Sequence, residues 1–209
     1  MTLADHILKL QIKSHQVAKL ETYCSLLKKW SRVKNLVARS TLEDVWDRHI
    51  IDSAQVQRAA PDARSWVDLG SGAGFPGLVT AILLCEEPDA IVHLIESDHR
   101  KCAFLRDVSR ETGCRTVVHC RRVEDIIRDF RGVHAVSARA VTSISELLSW
   151  SDPLLKSGAV AVFPKGQEVQ DELTRIAGPD NYTIELKPSM THAAGRLVIV
   201  RRAAIGSDQ

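Results

Sequence analysis

The first 60 residues have a helical spacing of apolar positions and contain neither glycine nor proline. Apolar side chains that recur at steps of three or four predict a helix with one apolar face, formed by Val17, Leu20, Cys24, Leu27 and Trp30. A second helix is predicted from about Leu42 to Ala60, capped by Ser40 or Thr41 and stopped by Pro61. We therefore expect an N-terminal helical extension over residues 1–60 and a second domain over residues 61–209.

From residue 64 onward, short β-branched runs alternate with amphipathic helical segments. The runs that predict strands are Trp66–Leu69, Ile91–Ile95, Thr116–His119, Val133–Val136, Ala159–Phe163, Tyr182–Leu186 and Leu197–Val200. Strands that alternate with helices at this spacing indicate an α/β fold with parallel β-α-β units in a doubly wound sheet. The last two runs have no helix between them, so we expect them to pair antiparallel at one side of the sheet.

The composition is that of an ordinary globular domain. The chain has 209 residues, of which 44% are hydrophobic and 26% charged, and this excludes a disordered or fibrous protein. The apolar stretch Leu78–Cys85 is far shorter than the ~20 residues that a membrane span requires, and the N-terminus lacks the pattern of a secretory signal. Five cysteines without a C-x-x-C pair are typical of free thiols in a reducing compartment. We expect a cytoplasmic protein with no membrane partner.

The strongest chemical signal is the glycine-rich turn after the first predicted strand, Asp68-Leu69-Gly70-Ser71-Gly72-Ala73-Gly74-Phe75-Pro76-Gly77. Gly70, Gly72 and Gly74 permit a tight turn and a close approach of backbone to ligand. Pro76 suits the first turn of a following helix. Doubly wound sheets bind nucleotide ligands at such turns. A P-loop is excluded because the chain has no G-x-x-x-x-G-K-[ST].

Asp68 indicates which nucleotide ligand this turn binds. A carboxylate repels the pyrophosphate of a dinucleotide, but it attracts the sulfonium and α-ammonium groups of S-adenosylmethionine. At ~4 Å and an effective dielectric near 20, this change of sign is worth roughly 4 kcal/mol in each direction before desolvation. The sequence therefore favours S-adenosylmethionine as cofactor and disfavours an NAD-dependent oxidoreductase.

Residues after the second and third strands extend this donor site. Glu96 ends the second strand about 20 residues beyond the turn, where an acid accepts both ribose hydroxyls. Val123 and Glu124 follow the third strand, where the adenine would rest.

The histidines show no spacing typical of metal ligands, and no metal site is predicted. Only His49 is singled out, either as a structural residue or as part of the cleft.

Elimination narrows the methyl acceptor. Exocyclic amines are usually methylated with an Asn/Asp-Pro-Pro-aromatic motif after the fourth strand, where this chain has Ser137-Ala138-Arg139-Ala140. Carbon-5 of pyrimidines requires a cysteine preceded by Pro or Thr, and no cysteine here has that context. What remains is an acceptor that is already nucleophilic, such as guanine N7, which has no proton to lose. In-line displacement then needs no general base, and catalysis rests on positioning and electrostatics.

Basic residues point to RNA as the partner. Arg139 is predicted to lie beside the donor and to be the catalytic residue. The cations that follow strand ends should face the same sheet edge as the donor, and they are Lys101, Arg121 or Arg122, Arg139 and Lys165. Lys28, Lys29 and Arg32 form a further basic group, which is either an RNA-facing patch or a solvated helix end. Phosphate contacts of this kind make affinity for RNA dependent on salt.

Several of these stretches resemble the family of the bacterial 16S ribosomal RNA small-subunit methyltransferase G, also called glucose-inhibited division protein B. They are Asn35-Leu36-Val37-Ala38, Arg48-His49-Ile50-Ile51-Asp52-Ser53, Asp68 to Gly77, Ser137-Ala138-Arg139-Ala140 and Lys165-Gly166. The resemblance implies a Rossmann-like class I methyltransferase with about seven strands, one of them antiparallel, and an N-terminal helical extension. It also implies methylation of N7 of guanine 527 in 16S ribosomal RNA, free or in the small ribosomal subunit. We expect the protein to be a monomer.

Carried over by position, the resemblance implies donor contacts from Gly70, Phe75, Val123, Glu124 and Arg139. It implies RNA or phosphate contacts from Lys101, Arg122, Arg139 and Lys165. Glu96 stands where many members of the family have Asp. Two other functions stay open from the residues alone, namely an RNA- or ribosome-binding module with a vestigial donor pocket and a methyltransferase of a small molecule or protein.

Overall fold

The structure is a computed structural model that describes residues 2–32, 36–38, 42–176 and 181–203. Within that part of the chain one sheet has the strand order β3-β2-β1-β4-β5-β7-β6. Its strands are β1 Ser65–Leu69, β2 Ile91–Glu96, β3 Thr116–Cys120, β4 Ala135–Ala138, β5 Val160–Lys165, β6 Tyr182–Pro188 and β7 Arg196–Arg202. Every run that the sequence predicts as a strand overlaps one of these strands.

Strands β1 to β5 pair in parallel, and β7 pairs antiparallel with both β5 and β6. The predicted α/β class, with a mostly parallel Rossmann-like sheet and one antiparallel strand, is confirmed. The strand order changes side at β1. The chain adds β2 and β3 on one side of β1 and then β4 and β5 on the other side. In doubly wound sheets a ligand binds at the carboxyl ends of the strands beside such a change of side.

Helices cover both faces of the sheet. They are α1 Leu3–Lys9, α2 Ser14–Ser31, α3 Asp52–Ala59, α4 Gly77–Leu83, α5 His99–Thr112, α6 Ile144–Lys156 and α7 Val169–Thr174. Helices α2 to α5 share one buried apolar cluster with one face of the sheet, and α6 belongs to a second cluster on the other face. Leu20 and Leu27 of the extension are fully buried in the first cluster. The N-terminal helices therefore complete the hydrophobic core on that face.

The second predicted helix begins later than the sequence indicates. A π-helical turn, Trp46–Ile51, leads directly into α3, which ends at Ala59. A π turn holds one more residue than an α turn and changes which side chains face inward. Ile50 and Ile51, at the end of this turn, are both fully buried. The predicted caps Ser40 and Thr41 lie outside the described residues, as does Asn35 of the family resemblance.

No helix in the described ranges is long and apolar enough to cross a membrane. Helix α4 begins at Gly77, close to the start near Pro76 that the sequence predicts, and Pro76 is its N-cap rather than part of its first turn. The chain thus turns from β1 into α4 at the carboxyl edge of the sheet, through the glycine-rich segment.

Candidate active site

Two cavities adjoin at the carboxyl edge of the central strands. The first, about 480 Å³, is lined by the glycine-rich turn, the end of β2 and the segment after β3. The second, about 510 Å³, is lined by the π turn and α3, by the end of β5 and by the loop between β6 and β7. His49, Arg139 and Ala140 line both cavities. The two spaces therefore share one wall.

The backbone of the glycine-rich turn is fixed by positive φ angles and by hydrogen bonds. Gly70, Gly72 and Gly74 have φ of 62°, 56° and 95°. The amide of Ser71 donates to the carbonyl of Ile95 at 2.9 Å, which ties the turn to β2. Gly70 and Gly72 line the first cavity, whereas Gly74 does not. A Cβ on Gly74 would overlap Leu78 Cδ1 of α4 and lie 2.9 Å from the hydroxyl of Tyr23, so this glycine makes room for α4 and α2 behind the turn.

Asp68 lies behind the turn and is fully buried. Ser137 Oγ donates to Asp68 Oδ1 at 2.7 Å, across the β1–β4 pair. Its other carboxylate oxygen faces α4, where a Cβ on Gly77 would lie 2.6 Å away. Burial raises the pKa of Asp68 to about 6, against the hydrogen bonds that lower it. Asp68 does not line the first cavity, because its side chain points between β4 and α4. Its attraction for the donor therefore stays a prediction that rests on its charge.

Glu96 holds the glycine-rich turn and also faces the first cavity. The residue as a whole is 8% exposed. Oε2 accepts from the amide of Gly72 at 2.9 Å, and Oε1 accepts from the amide of Asp98 at 2.8 Å. Each carboxylate oxygen has a second lone pair, so the group can hold the turn and still accept hydroxyl hydrogens from a ligand.

Most of the other predicted donor residues lie together around the first cavity. Phe75, Val123, Glu124 and Arg139 line it, with Val123 buried and Glu124 exposed. Lys101, Arg121 and Arg122 line the same cavity and place positive charge at it. The structure thus brings together every predicted donor residue except Asp68 and Gly74, which lie behind the turn.

Arg139 is held in place by the π turn and α3. Its Nη1 donates to the carbonyl of Arg48 at 3.0 Å and to Asp52 Oδ2 at 3.2 Å. Its Nη2 lies 2.7 Å from Nδ1 of His49. The guanidinium also lies over the ring of Phe75, at 5.0 Å from the centroid. Only 16% of the side chain is exposed, so its position is set by these four contacts.

His49 forms the other half of this shared wall. Its ring stacks on Phe75 with centroids 4.8 Å apart and planes inclined by 20°. Burial, together with the charges of Arg139 and Arg48, lowers the pKa of His49 to about 4. The imidazole is therefore neutral at neutral pH, and its Nδ1 accepts the hydrogen bond from Arg139. The sequence left open whether His49 is a structural residue or part of the cleft, and the structure shows that it lines the cleft.

The remaining predicted RNA residues occupy different environments. Lys165 lines the second cavity, but its Nζ donates to both carboxylate oxygens of Glu172, at 2.9 and 3.1 Å, and to the carbonyl of Thr142 at 2.8 Å. This lysine is an ion-pair partner and is 13% exposed. Lys28, Lys29 and Arg32 are exposed at the end of α2 and line neither cavity.

Two residues at the site carry no role in the sequence analysis. Asp52 pairs with Arg139, and the i, i+3 spacing of His49 and Asp52 is the signal that indicates a shared helical face. Tyr23 of α2 is fully buried, donates to the carbonyl of Ala73 and packs on Phe75 with ring centroids 5.1 Å apart. The N-terminal extension thereby supports the turn from behind.

Comparison with known proteins assigns the family. The family model for rRNA small subunit methyltransferase G, GidB, matches residues 16–195. The ribosomal RNA small subunit methyltransferase G of Methylobacterium sp. (strain 4-46) is 45% identical over 188 residues, which cover 90% of this chain and 89% of that protein. The one from Rhizobium meliloti (strain 1021) is 47% identical over 169 residues, 79% of each protein.

A solved structure shows the same fold. The crystal structure of SMU.1697c from Streptococcus mutans, in complex with SAH, aligns with a TM-score of 0.52 and 11% identity over 71% of this chain and 95% of that chain. With the family match over most of its length, the chain belongs to the GidB family of rRNA small subunit methyltransferases G.

Proposed function

We propose that this protein transfers the methyl group of S-adenosylmethionine to N7 of guanine 527 in 16S ribosomal RNA. Membership of the GidB family gives the coarser part, a methyltransferase that uses S-adenosylmethionine and acts on small-subunit ribosomal RNA. The position 527 and the atom N7 are what the family resemblance implies, and the observation that supports a two-site transfer is the pair of cavities that meet at Arg139 and His49. Methyl transfer needs two sites that share a boundary, because donor carbon and acceptor atom must come into line.

The first cavity suits the donor. Its volume of about 480 Å³ falls in the usual range for small-molecule sites. Glu96 would accept the ribose hydroxyls, and Val123 and Glu124 would contact the adenine. Phe75 and Arg139 would border the sulfonium end. Asp68 would favour a cationic donor through the glycine-rich turn, by its charge and without contact.

The second cavity suits an acceptor base that becomes positively charged. When N7 attacks the methyl carbon, the bond from carbon to sulfur breaks, and the positive charge moves from sulfur to the purine. Four cations line this cavity, of which Arg48 and Arg196 have no ion pair among the described residues. The two half-buried ones nearest its shared wall and the end of β5 are paired with carboxylates, Arg139 with Asp52 and Lys165 with Glu172. Such pairing reduces the repulsion that unpaired cations would impose on the product.

No proton has to leave guanine when N7 is methylated, so the proposed mechanism has no general base. A neutral imidazole beside Arg139 agrees with this, because the pKa of His49 is lowered to about 4 and the ring adds no positive charge. Arg139, which borders both cavities, is the proposed catalytic residue. Its part is to position the acceptor against the donor and to shape the electrostatics between them.

The ribosomal RNA backbone is proposed to follow exposed cations around the site. Lys101 and Arg122 lie at the first cavity, and Lys28, Lys29 and Arg32 lie at the end of α2. Lys165 is expected to act through its cavity position, since Glu172 neutralises it. We propose further that the protein acts as a cytoplasmic monomer, with residues 61–209 carrying the transfer chemistry and residues 1–60 supporting the turn and contacting RNA.

Methylation mapping on small subunits tests this proposal. Small ribosomal subunits from a strain that lacks the enzyme are incubated with the protein and S-adenosylmethionine, and N7-methylguanine is located by chemical cleavage followed by primer extension. A single new signal at guanine 527, absent without the donor, is expected. A signal elsewhere or a different modified atom would contradict the finer proposal. Binding of the donor without RNA methylation would favour a small-molecule or protein substrate, and failure to bind the donor would favour an RNA-binding module.

A further inference from the structure

A buried amide joins α3 to the loop between β6 and β7. Gln55 is 3% exposed. Its Nε2 donates to Asp52 Oδ1 at 2.9 Å and to Ser189 Oγ at 3.2 Å, and its Oε1 accepts from the amide of Met190 at 3.0 Å. Both ends of the side-chain amide are therefore used, one of them on the loop backbone.

The loop, residues 189–195, is closed by contacts that converge on the same place. Thr191 Oγ1 donates to Asp52 Oδ1 at 3.1 Å, and the amide of Thr191 donates to Ser189 Oγ at 3.2 Å. The amide of Ser189 also donates to the carbonyl of Gly195 at 3.0 Å. Ser189, Thr191 and Gly195 all line the second cavity. The shape of this wall therefore depends on the hydrogen bonds that Asp52 and Gln55 of α3 make with the loop.

The same carboxylate that receives the loop also holds Arg139. Asp52 Oδ2 accepts from Arg139 Nη1 at 3.2 Å, while Oδ1 accepts from Gln55 and Thr191. If Gln55 were apolar, Ser189 Oγ and the amide of Met190 would lose their bonds to α3, and the loop would be held there by the bond from Thr191 to Asp52 with less restraint. The network therefore connects two walls of the second cavity, the loop and the arginine.

We propose that Gln55 is a positioning residue that holds loop 189–195 in the shape that receives the acceptor base. This inference rests on the proposed function only in assigning the acceptor to the second cavity. Loss of the side-chain amide lowers the fraction of molecules whose loop is ready to bind. The apparent affinity for the acceptor falls by that fraction, whereas the donor cavity, which Gln55 does not line, keeps its affinity.

The test compares Gln55→Leu with a matched control, Gln57→Leu. Gln57 lies on the same helix, is 2% exposed, and its Oε1 has no hydrogen-bond partner among the described residues. For Gln55→Leu we expect KM for the small subunit to rise about tenfold while kcat changes less than about threefold. The dissociation constant of S-adenosylmethionine should stay within about twofold of the wild-type value. Gln57→Leu should leave KM unchanged.

Hydrogen exchange provides a readout that needs no substrate. Amides in residues 189–195 of free Gln55→Leu should exchange faster than in wild type and in Gln57→Leu. Equal exchange, or faster exchange with an unchanged KM, would overturn the positioning role. An inactive wild-type protein would refute the proposed function alone, because the exchange comparison still decides whether Gln55 holds the loop. If Gln55→Leu does not fold, Thr191→Val on the loop side is expected to raise KM and loop exchange in the same way, and no change in either would refute the proposal.

Discussion

Arg139 donates from Nη2 to Nδ1 of His49 over 2.7 Å, at the wall that separates the two cavities. This bond requires an imidazole whose Nδ1 carries no proton. Burial and two neighbouring arginines keep the ring neutral, since they lower the pKa of His49 to about 4, and the contact with Arg139 then favours the tautomer that carries its proton on Nε2. The charge state of one histidine is thereby linked to the position of the proposed catalytic arginine.

The lowered pKa of His49 predicts how stability changes with pH. In the unfolded chain His49 has the ordinary histidine pKa of 6.5, and in the folded protein its pKa is about 4, so the unfolded state binds more protons between these values. His49 thus stabilises the fold fully above pH 6.5, and this contribution is lost as pH falls toward 4. Urea unfolding at pH 7.5 and 5.0 should show a smaller loss of stability for His49→Gln than for wild type. Equal losses in the two proteins would show that His49 is not buried neutral. Asp68, whose pKa is raised, acts in the opposite direction but is present in both proteins.

Replacement of Arg139 should affect activity more than stability. Arg139→Ala removes the group that borders both cavities, and we expect kcat on small subunits to fall by about 100-fold. Arg106→Ala is the control, since Arg106 is exposed on α5 and lines neither cavity. Thermal unfolding measured beside kcat separates the two effects. Loss of the cooperative unfolding transition in Arg139→Ala would instead show that the arginine is structural.

Charge at Asp68 should set donor affinity without direct contact. Asp68→Asn keeps an oxygen for the bond from Ser137 but removes the negative charge, and titration calorimetry at pH 7.5 should show S-adenosylmethionine binding weakened by about threefold to tenfold. The pKa of about 6 adds a second expectation. Wild-type affinity should fall between pH 7.5 and 5.5 as the carboxylate is protonated, whereas the affinity of Asp68→Asn stays constant. A parallel fall in both proteins would assign the pH dependence to another group.

Gly70 offers a test of the turn with a close internal control. Its φ is 62°, and an added Cβ would lie 2.8 Å from a methyl carbon of Val141. Gly132 has a φ of 65° with nothing within 4 Å of such a Cβ. Gly132→Ala should lose about 1 kcal/mol of unfolding free energy from backbone strain alone. Gly70→Ala should lose more and should also lose donor binding, because Val141 or the turn must move. Donor binding equal to that of Gly132→Ala would show that the turn does not form the donor site.

Local sequence patterns predict the strands well, because β-branched runs report directly on buried extended backbone. Ile91–Ile95 is predicted and Ile91–Glu96 is observed. The same patterns do not reveal that β7 inserts between β5 and β6, since this order depends on long-range pairing. The extension boundary at residue 60 stays a prediction, because the apolar cluster is continuous across it.

Side-chain direction decides which of the predicted site residues face the cavities freely. The position of Asp68 before the glycines predicts a donor contact, but a bond to Ser137, 69 residues away, directs its side chain behind the turn. The strand end at Lys165 predicts a cation that faces RNA, but Glu172 on α7 pairs with it. Glu96, Val123 and Arg139 depend mainly on the carboxyl ends of their strands, which parallel pairing brings to one edge. They lie together at the first cavity, and their donor contacts stay a prediction.

A crystal structure with S-adenosylhomocysteine is the most direct test of how the two cavities divide the reaction. The product should occupy the first cavity with its ribose hydroxyls on the carboxylate of Glu96 and its sulfur turned toward Arg139, leaving the second cavity open. A ligand bound in the second cavity, or one whose sulfur points away from Arg139, would contradict the account.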